Sequence, residues 1–229
     1  MAPLLEKKLL LFDIDGTLLA SGGAGVNALT EAAREYFNSH ELSGIEVAGR
    51  TDTSIAHQLF ALHGREFTPA AVTEFTDLYL AHLARLLPVT KGSLLPGIIP
   101  LLEALRARPD CVLALLTGNL VRGAELKLAH YGIWHFFEFG AYADDHHDRN
   151  ALGPVARARA FDKHGHTFPA ERIFILGDTP HDIACARAID ARAIAIATGA
   201  FTRAQLAAYS PDFLFEDLSD LSAVLAVLD

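Results

Sequence analysis

Short, almost uninterrupted apolar runs recur along the chain and predict buried β-strands. The clearest lie at residues 8–14, 111–116, 173–176 and 193–197, with weaker runs at 136–140 and 213–215. Continuous hydrophobicity over four to seven residues is typical of strands that are covered on both faces, as in a parallel sheet. The pattern therefore predicts a central sheet with helices on both sides.

Segments of helical periodicity separate these runs. They cover residues 97–108, 120–131, 151–164 and 181–190. Their ends carry the expected signals, because Pro96 and Pro180 precede helix starts while Gly132 and Gly165 follow helix ends. Strand and helix alternate, which predicts a Rossmann-like, doubly wound α/β core with a parallel sheet.

The interval between the first and second core strands is too long for a single crossover. Helical patterns occupy residues 23–38, 53–63 and 69–86 within it. We therefore predict a helical cap domain at residues 20–90, inserted into a core formed by residues 1–19 and 91–229. The predicted hinges, Leu18 to Gly23 and Pro88 to Pro96, are rich in Gly, Ser and Pro.

Composition limits the classes of partner. The 229 residues are 51% hydrophobic and carry a formal net charge of −9 without clusters of Lys or Arg. Nucleic acids and anionic membranes are bound by basic surfaces, so neither is an expected partner. A small anionic substrate remains compatible, since a metal ion and a few local cations can reverse the field within one cleft.

The apolar segments are also too short for membrane insertion. No stretch approaches the ~20 apolar residues of a membrane span, and the run near the start is too short for a secretory signal. A cytoplasmic location is the resulting expectation, and the sequence carries no signal for oligomeric state. Cys111 and Cys185 lie in apolar or alanine-rich segments and are expected to be reduced core thiols.

The strongest chemical signal is the segment DIDGTL at residues 13–18, at the end of the first predicted strand. Side chains two residues apart on a strand project to the same side, so Asp13 and Asp15 are expected to share one site, and Gly16 lets the backbone turn. Two adjacent carboxylates repel unless a cation lies between them, and carboxylate oxygens suit Mg²⁺. An isolated segment of this type also fits a solvated turn, but the carboxyl end of a strand is where open α/β sheets bind ligands.

Three other polar segments follow predicted elements and are expected at the same edge of the sheet. The segment TGN at 117–119 offers a hydroxyl and backbone N–H groups that can hold phosphate oxygens. GDTPHD at 177–182 adds two carboxylates, and DDHHDRN at 144–150 precedes a helix. Each alone fits a helix cap, a turn or an exposed charged loop. Their coincidence predicts a functional site.

Together these segments resemble the motifs of the haloacid dehalogenase superfamily over nearly the whole chain. DIDGTL is similar to its first motif, LLTGN to the second and GDTPHDI to the fourth. The third motif is usually a Lys. Here Arg149 is the best match, and Lys163, about three turns farther along, is a poorer alternative. The insertion resembles the first cap type of the superfamily, and residues 47–52 resemble the cap segment of its phosphoglycolate phosphatase-like members.

The resemblance implies a magnesium-dependent phosphatase acting on a small phosphorylated metabolite. Asp13 would attack phosphorus, Asp15 would act as the acid and base, and Arg149 would pair with the phosphoryl oxygens and the nucleophile. Thr117 and Asn119 would hold phosphoryl oxygens. The implied Mg²⁺ ligands are Asp13, the carbonyl of Asp15, and Asp178, with Asp182 in support. The residues expected to bind substrate are Gly16, Thr17, Gly118, Asn119 and Arg50.

For the substrate, 2-phosphoglycolate is the first candidate, with Arg50 as the partner of its carboxylate. Arg50 also fits a surface residue that neutralises Asp52 or a helix end. A sugar-phosphate mutase remains an alternative, as does a non-catalytic binding protein with this fold. Dehalogenation is disfavoured, because it needs neither a second acid nor a metal. Zinc binding is a rival hypothesis for His146, His147, His164 and His166, although no Cys or HExxH spacing accompanies them.

Overall fold

The computed structural model describes residues 7–229, and the parts of the predictions above that concern residues 1–6 lie outside the described residues. In chain order the strands are β1 (Lys8–Phe12), β2 (Leu19–Ala20), β3 (Ser93–Leu94), β4 (Cys111–Leu116), β5 (Gly140–Ala141), β6 (Ile173–Gly177), β7 (Arg192–Ile196) and β8 (Phe213–Phe215). The α-helices are α1 (Ala24–Phe37), α2 (Asp52–Leu62), α3 (Pro69–Leu86), α4 (Ile98–Arg106), α5 (Val121–His130), α6 (Leu152–His164), α7 (Pro180–Ala188), α8 (Arg203–Ala207) and α9 (Leu221–Ala226).

Six parallel strands form the central sheet in the order β5-β4-β1-β6-β7-β8. In the register, Leu10 of β1 lies opposite Leu113 of β4 and Phe174 of β6. The predicted doubly wound α/β fold is confirmed. The chain proceeds outward from β1 in both directions, so the order reverses there, and such a reversal opens a crevice at the carboxyl ends of the strands.

Strand β1 explains why its apolar run is continuous. Leu10 and Phe12 face one apolar cluster, together with residues of α4, α5 and α9, while Leu9 and Leu11 face a second cluster with α6 and α7. All four side chains are fully buried. Complete burial of one such side chain stabilises a fold by roughly 1.5–3 kcal/mol. Both faces of the strand therefore contribute to the core.

Helices α1, α2 and α3 pack mainly on each other. Their apolar cluster is centred on the buried side chains of Leu59, Phe60, Phe75 and Leu83. The short antiparallel pair β2 and β3 joins the two chain segments that lead to these helices and back, near the predicted hinges. The division of the chain at residues 20 and 90 stays a prediction.

Several element boundaries differ from the sequence-based prediction. β1 ends at Phe12 because the chain then turns: the N–H groups of Thr17 and Leu18 both donate to the carbonyl of Ile14, and Gly16 has a φ of +82°. The run predicted at 136–140 instead contains the end of a 3-10 turn at Trp134–Phe136, followed by the two-residue strand β5. Helices α8 and α9 were not predicted, because five or six residues carry too little periodicity.

Among residues 7–229, no helix is long and apolar enough to cross a membrane. Both cysteines are unpaired. Cys185 is buried and Cys111 is half-buried, so the expectation of a core position holds fully for Cys185.

Candidate active site

The segments that follow the neighbouring strands β1 and β6 bring the predicted acidic residues together. Asp13 follows β1 and Asp178 follows β6, while Asp182 lies in the first turn of α7. All three are buried, and one carboxylate oxygen from each lies within 4.8 Å of the others. The chain reversal at β1 therefore concentrates acidic oxygens in one place.

These carboxylates have unusual protonation equilibria. Burial, followed by the charges of Asp13 and Asp182, raises the pKa of Asp178 to about 8. Burial raises the pKa of Asp13 to about 6, although the charge of Arg149 opposes it. A divalent cation would relieve this repulsion, and an all-oxygen donor set suits Mg²⁺, so the residues fit the expected metal.

Two small residues allow the Asp178 carboxylate to lie so close to the backbone. A Cβ atom at Gly16 would lie 2.4 Å from Asp178 Oδ2, and one at Gly199 would lie 1.7 Å from it. Both distances are shorter than any real contact. Thr17 donates a hydrogen bond from its hydroxyl to Asp178 Oδ1 at 3.1 Å. Gly16 and Thr17 thus position the acidic cluster, and their predicted contact with a substrate stays a prediction.

Arg149 is the cation beside this cluster. Its Nη2 lies 3.2 Å from Asp13 Oδ1 and 2.5 Å from Asp182 Oδ1, and the side chain is buried. Lys163, by contrast, donates to the Glu138 carbonyl and is partly exposed. Of the two candidates for the third motif, the structure brings Arg149 to the site.

Asp182 also has a structural role at this site. Its Oδ2 accepts hydrogen bonds from the N–H of Thr179 at 3.0 Å and from the Thr179 hydroxyl at 2.7 Å, which caps α7. Its Oδ1 accepts from Arg149. Both oxygens therefore have protein partners, and Asp182 fixes the guanidinium as well as adding charge.

The side chain of Asp15 does not join the acidic cluster. Its Oδ2 accepts hydrogen bonds from Asn119 Nδ2 at 2.9 Å and from Lys127 Nζ at 2.5 Å. Asp13 and Asp15 line the same cavity, but their carboxylates do not lie together in the group that is arranged to hold a metal ion. Both residues lie beyond the end of β1, where the chain turns and strand alternation no longer applies.

Lys127 was missed by the sequence-based reasoning. It lies on α5, is 3% exposed, and donates to Asn119 Oδ1 at 2.7 Å as well as to Asp15. A signal was available, because Lys127 shares the apolar face of its helix with Ala124 and Leu128, at helical spacing. A lysine on a buried face needs a partner for its charge.

The loop after β4 contacts residues 49–53, which we call the bridging segment. Thr117 is fully buried, and its Oγ1 accepts from Asn119 Nδ2 at 2.9 Å. A Cβ at Gly118 would lie 2.2 Å from the carbonyl oxygen of Arg50, so only glycine permits this approach. The N–H of Asp52 donates to the Gly118 carbonyl at 2.7 Å.

Other hydrogen bonds hold the bridging segment on the core. The hydroxyl of Thr51 donates to the carbonyl of His147 at 2.6 Å, and that of Thr53 to the carbonyl of Ala143 at 2.9 Å. Asp52 Oδ2 accepts from the N–H of Leu120, immediately before α5, and burial raises the pKa of Asp52 to about 6. The helical insertion is therefore closed over the strand ends in this structure.

A cavity of about 350 Å³ lies between the acidic cluster and the helical insertion. Its core side includes Asp13, Asp15, Asn119 and Lys127. The opposite side is mostly apolar and is formed by Leu29, Val47, Ile55 and Tyr79. The cavity thus joins a charged end to an apolar end, with room for a small ligand.

Arg50 also lines this cavity, but its guanidinium is already paired. Its Nε and Nη2 both donate to Glu46 Oε2, at 2.9 Å and 2.5 Å. These two hydrogen bonds lower the pKa of Glu46. The ion pair is partly exposed. Arg50 thus neutralises Glu46, and the expectation that it neutralises Asp52 is not met. Its predicted contact with a substrate carboxylate stays a prediction.

The histidines considered for zinc lie elsewhere. The rings of His146 and His147 stack with centroids 4.5 Å apart, and those of His164 and His166 lie 6.1 Å apart. Across residues 7–229, the group of side chains arranged to hold a metal ion is that of Asp13, Asp178 and Asp182.

A doubly wound sheet, a metal-compatible acidic site at its reversal and a helical insertion after the first strand are typical of haloacid dehalogenase-type enzymes. A sequence profile described as haloacid dehalogenase-like hydrolase matches residues 10–187, and the chain belongs to this family. This confirms the family resemblance and the prediction that the chain is a hydrolase.

Comparison with individual proteins agrees with this assignment. The chain is 25% identical over 223 residues to a protein named probable phosphatase IndB from Dickeya dadantii, covering 94% of this chain and 92% of that protein. A predicted phosphoglycolate phosphatase from Haemophilus somnus shares the fold at 22% identity and a TM-score of 0.71, covering 96% of this chain and 98% of that one. A CbbY variant from Rhodobacter sphaeroides, solved with xylulose-(1,5)bisphosphate, also shares the fold. The identity is 20% and the TM-score is 0.72, and the match covers 97% of this chain and 99% of that one.

Proposed function

We propose that this protein is a magnesium-dependent phosphatase that hydrolyses small phosphomonoesters through a phosphorylated Asp13. The observation that carries the proposal is the buried cluster of Asp13, Asp178 and Arg149 at the end of the cavity beneath the helical insertion. The similarity to a probable phosphatase supports it. Phosphoryl transfer depends chiefly on positioning and on neutralisation of charge, and this cluster offers both.

In the proposed reaction, Asp13 attacks phosphorus and the bond from phosphorus to the leaving oxygen breaks. Asp15 gives a proton to that oxygen and later takes one from the water that hydrolyses the acyl phosphate. Arg149 and Thr117 hold the phosphoryl oxygens, and Asn119, whose Nδ2 donates to Asp15 and to Thr117, positions both of those side chains. Mg²⁺ held by Asp13, Asp178 and the Asp15 carbonyl would neutralise the charge that develops on those oxygens.

The direct test is release of inorganic phosphate from an aryl phosphate, measured with Mg²⁺, with EDTA, and after Mg²⁺ is restored. Activity should disappear with EDTA and return with Mg²⁺. Asp13→Asn should reduce kcat by ~10³ or more, because an amide is a far poorer nucleophile. Asp110→Asn is the matched control, since Asp110 is also a buried acid but pairs with Lys8 at the opposite end of β1. Two results would contradict the proposal. They are full activity of the wild-type protein in EDTA, and a kcat of Asp13→Asn above about a hundredth of the wild-type value.

We propose 2-phosphoglycolate as the first substrate to examine. A cavity of about 350 Å³ under a closed insertion suits a small leaving group and excludes macromolecules. The fold likeness to a predicted phosphoglycolate phosphatase supports this choice. Because a protein of this fold was solved with a sugar bisphosphate, hexose and pentose phosphates belong in the same screen. Free phosphate as the product distinguishes hydrolysis from transfer to a sugar.

Arg50→Ala tests the carboxylate contact. If Arg50 leaves Glu46 to bind the substrate carboxylate, KM for 2-phosphoglycolate should rise about tenfold, with little change for an uncharged aryl phosphate. Arg34→Ala is the control, because Arg34 forms a similar exposed pair within the insertion, with Glu31 three positions away on α1. Equal losses on both substrates would exclude Arg50 as the residue that recognises the carboxylate.

We also propose that residues 20–90 act as the cap that excludes water during the reaction. Their buried apolar cluster, against which Leu120 and Leu126 of the core are only partly buried, and the β2–β3 connection support a unit that moves as a body. A cytoplasmic location is part of the same proposal and follows from the sequence expectation.

A further inference from the structure

Lys127 is a buried ammonium in the wall of the cavity, and none of the motifs discussed above includes it. Among the described residues, its hydrogen-bond partners are Asp15 and Asn119. An apolar side chain would fill this helix position without the cost of burying a charge. The position of the charge beside Asp15 therefore points to a role in the site.

The geometry around Asp15 is asymmetric. Lys127 Nζ and Asn119 Nδ2 both donate to Oδ2 of Asp15, and no hydrogen bond joins Oδ1 to any residue from 7 to 229. The Asp15 side chain is 42% exposed, and it lines the cavity. With Oδ2 occupied by two donors, Oδ1 is the oxygen that remains to carry a proton to a ligand.

Asn119 is itself oriented by Lys127. Its Oδ1 accepts from Lys127 Nζ, so its Nδ2 is directed to Asp15 and to the Thr117 hydroxyl. One ammonium thus sets the orientation of an acid and of an amide that the proposed reaction uses. Such preorganisation fixes a reacting group before the substrate arrives.

We propose that Lys127 is a positioning residue that holds Asp15 by Oδ2 and so directs Oδ1 to the leaving-group oxygen. This inference rests on the proposed phosphatase function. As the bond from phosphorus to the leaving oxygen breaks and its electron pair goes to that oxygen, the Oδ1–H bond of Asp15 breaks and the proton passes to it. The charge left on Asp15 is paired by the ammonium until the attacking water returns a proton to Oδ1.

The test compares a substrate that needs the proton with one that does not. An alkyl phosphate has a poor leaving group, whereas p-nitrophenyl phosphate releases a stable phenolate. In Lys127→Met, kcat/KM for the alkyl phosphate should fall ~10²-fold, and for p-nitrophenyl phosphate less than about tenfold, since general acid catalysis contributes ~10²–10⁴. The ratio kcat/KM is the correct quantity because it reports the step that expels the leaving group.

Lys8→Met is the matched control. Lys8 is also a buried lysine paired with an aspartate, Asp110, and it lies at the opposite end of β1. The Lys8→Met variant should be less stable, with a lower Tm. The ratio of its kcat/KM values for the alkyl phosphate and p-nitrophenyl phosphate should be that of the wild-type protein. Lys127→Gln, which keeps a neutral donor, should lose less activity on the alkyl phosphate than Lys127→Met and gives a second variant if the first does not fold.

A small amine provides an independent measurement. Truncation in Lys127→Ala leaves space for methylammonium, which should restore turnover of the alkyl phosphate, whereas tetramethylammonium, which has no N–H donor, should not. No rescue should occur in Lys8→Ala.

Three results would overturn the inference. They are equal losses on both substrates in Lys127→Met, unchanged turnover, or a loss confined to carboxylated substrates, which would make Lys127 a binding residue for the leaving group. Absence of phosphate release by the wild-type protein would instead overturn the proposed function, and the role of Lys127 with it.

Discussion

At the scale of single residues, Arg149 connects stability with the chemistry of the site. Its guanidinium lies between Asp13 and Asp182, and all three side chains are buried. Removing one partner of a buried ion pair leaves charge without compensation and costs about 3–5 kcal/mol. The same removal takes away the cation closest to the proposed nucleophile.

Arg149→Ala should therefore lower the free energy of unfolding by about 3 kcal/mol and reduce kcat on an aryl phosphate ~10²-fold. Arg149→Lys should recover part of kcat, because the third motif of this family usually carries a lysine ammonium. Urea unfolding and steady-state kinetics measure the two effects. Arg159→Ala is the control. Arg159 lies on α6, which follows the 3-10 turn that contains Arg149, and it forms a more exposed pair with Asp145. Its replacement should cost about 1 kcal/mol or less and leave kcat unchanged. Unaltered kcat in Arg149→Ala would remove Arg149 from the reaction.

At the scale of elements, the contact between the bridging segment and the loop after β4 keeps the insertion closed. Gly118 permits that contact, because a Cβ there would lie 2.2 Å from the Arg50 carbonyl oxygen. The obstructing atom belongs to the backbone, so a side-chain rotation cannot relieve the clash. A larger residue has to displace the whole segment.

Gly118→Ala should therefore lower kcat/KM by about tenfold or more, since displacements of ~1 Å can cost up to 10²-fold in a positioned reaction. Gly123→Ala is the matched control on the adjoining helix α5. A Cβ there meets Leu80 at 3.5 Å, an ordinary contact, and Ala favours a helix over Gly by ~1 kcal/mol, so activity and stability should be maintained. Equal kinetics for the two variants would show that closure of the bridging segment does not limit the reaction.

At the scale of the whole molecule, the buried acids predict how stability depends on pH. The folded-state pKa values of Asp13 and Asp52 are raised to about 6 and that of Asp178 to about 8, above the ordinary value of 3.8. The folded protein therefore binds these protons more tightly than the unfolded chain does. Their stabilising contribution is fully present below pH ~4 and is lost as pH rises through 6 to 8.

Metal-free protein should consequently show a falling Tm between pH 5 and pH 8. Saturating Mg²⁺ should raise Tm by a few degrees at pH 8 and by much less at pH 5, because protons compete with the metal for the same carboxylates. Asp178→Asn should remove most of the rise in Tm that Mg²⁺ causes at pH 8, while Asp52→Asn should preserve that rise. Thermal unfolding in EDTA and in Mg²⁺ across this range provides the measurement. An equal rise in Tm at pH 5 and pH 8 would contradict a metal site built from these acids.

Much of this molecule follows from local patterns in the sequence. The apolar runs of β1, β4 and β6 are continuous because both faces of each strand are buried, and continuity is visible along the chain. The segments DIDGTL, TGN and GDTPHD each end or follow such a run, so their meeting at one edge was predictable from parallel topology. The helices of the insertion were predicted within about one residue of their observed ends, because periodicity is also a local signal, as is the Thr or Pro at the starts of α2 and α3.

The tertiary structure alone decided which side chains meet within that edge. Lys127 pairs with Asp15 across 112 positions, and Arg149 pairs with Asp182 across 33. Arg50 pairs with Glu46 only four positions away, although neither lies on an observed helix. Strand and helix periods describe the direction of side chains inside regular elements. The acidic partners in these pairs lie outside them or at their ends: Asp15 and Glu46 are in loops and turns, and Asp182 is in the first turn of α7. There, orientation is set by the hydrogen bonds and charges that packing brings together, and no local pattern encodes those partners.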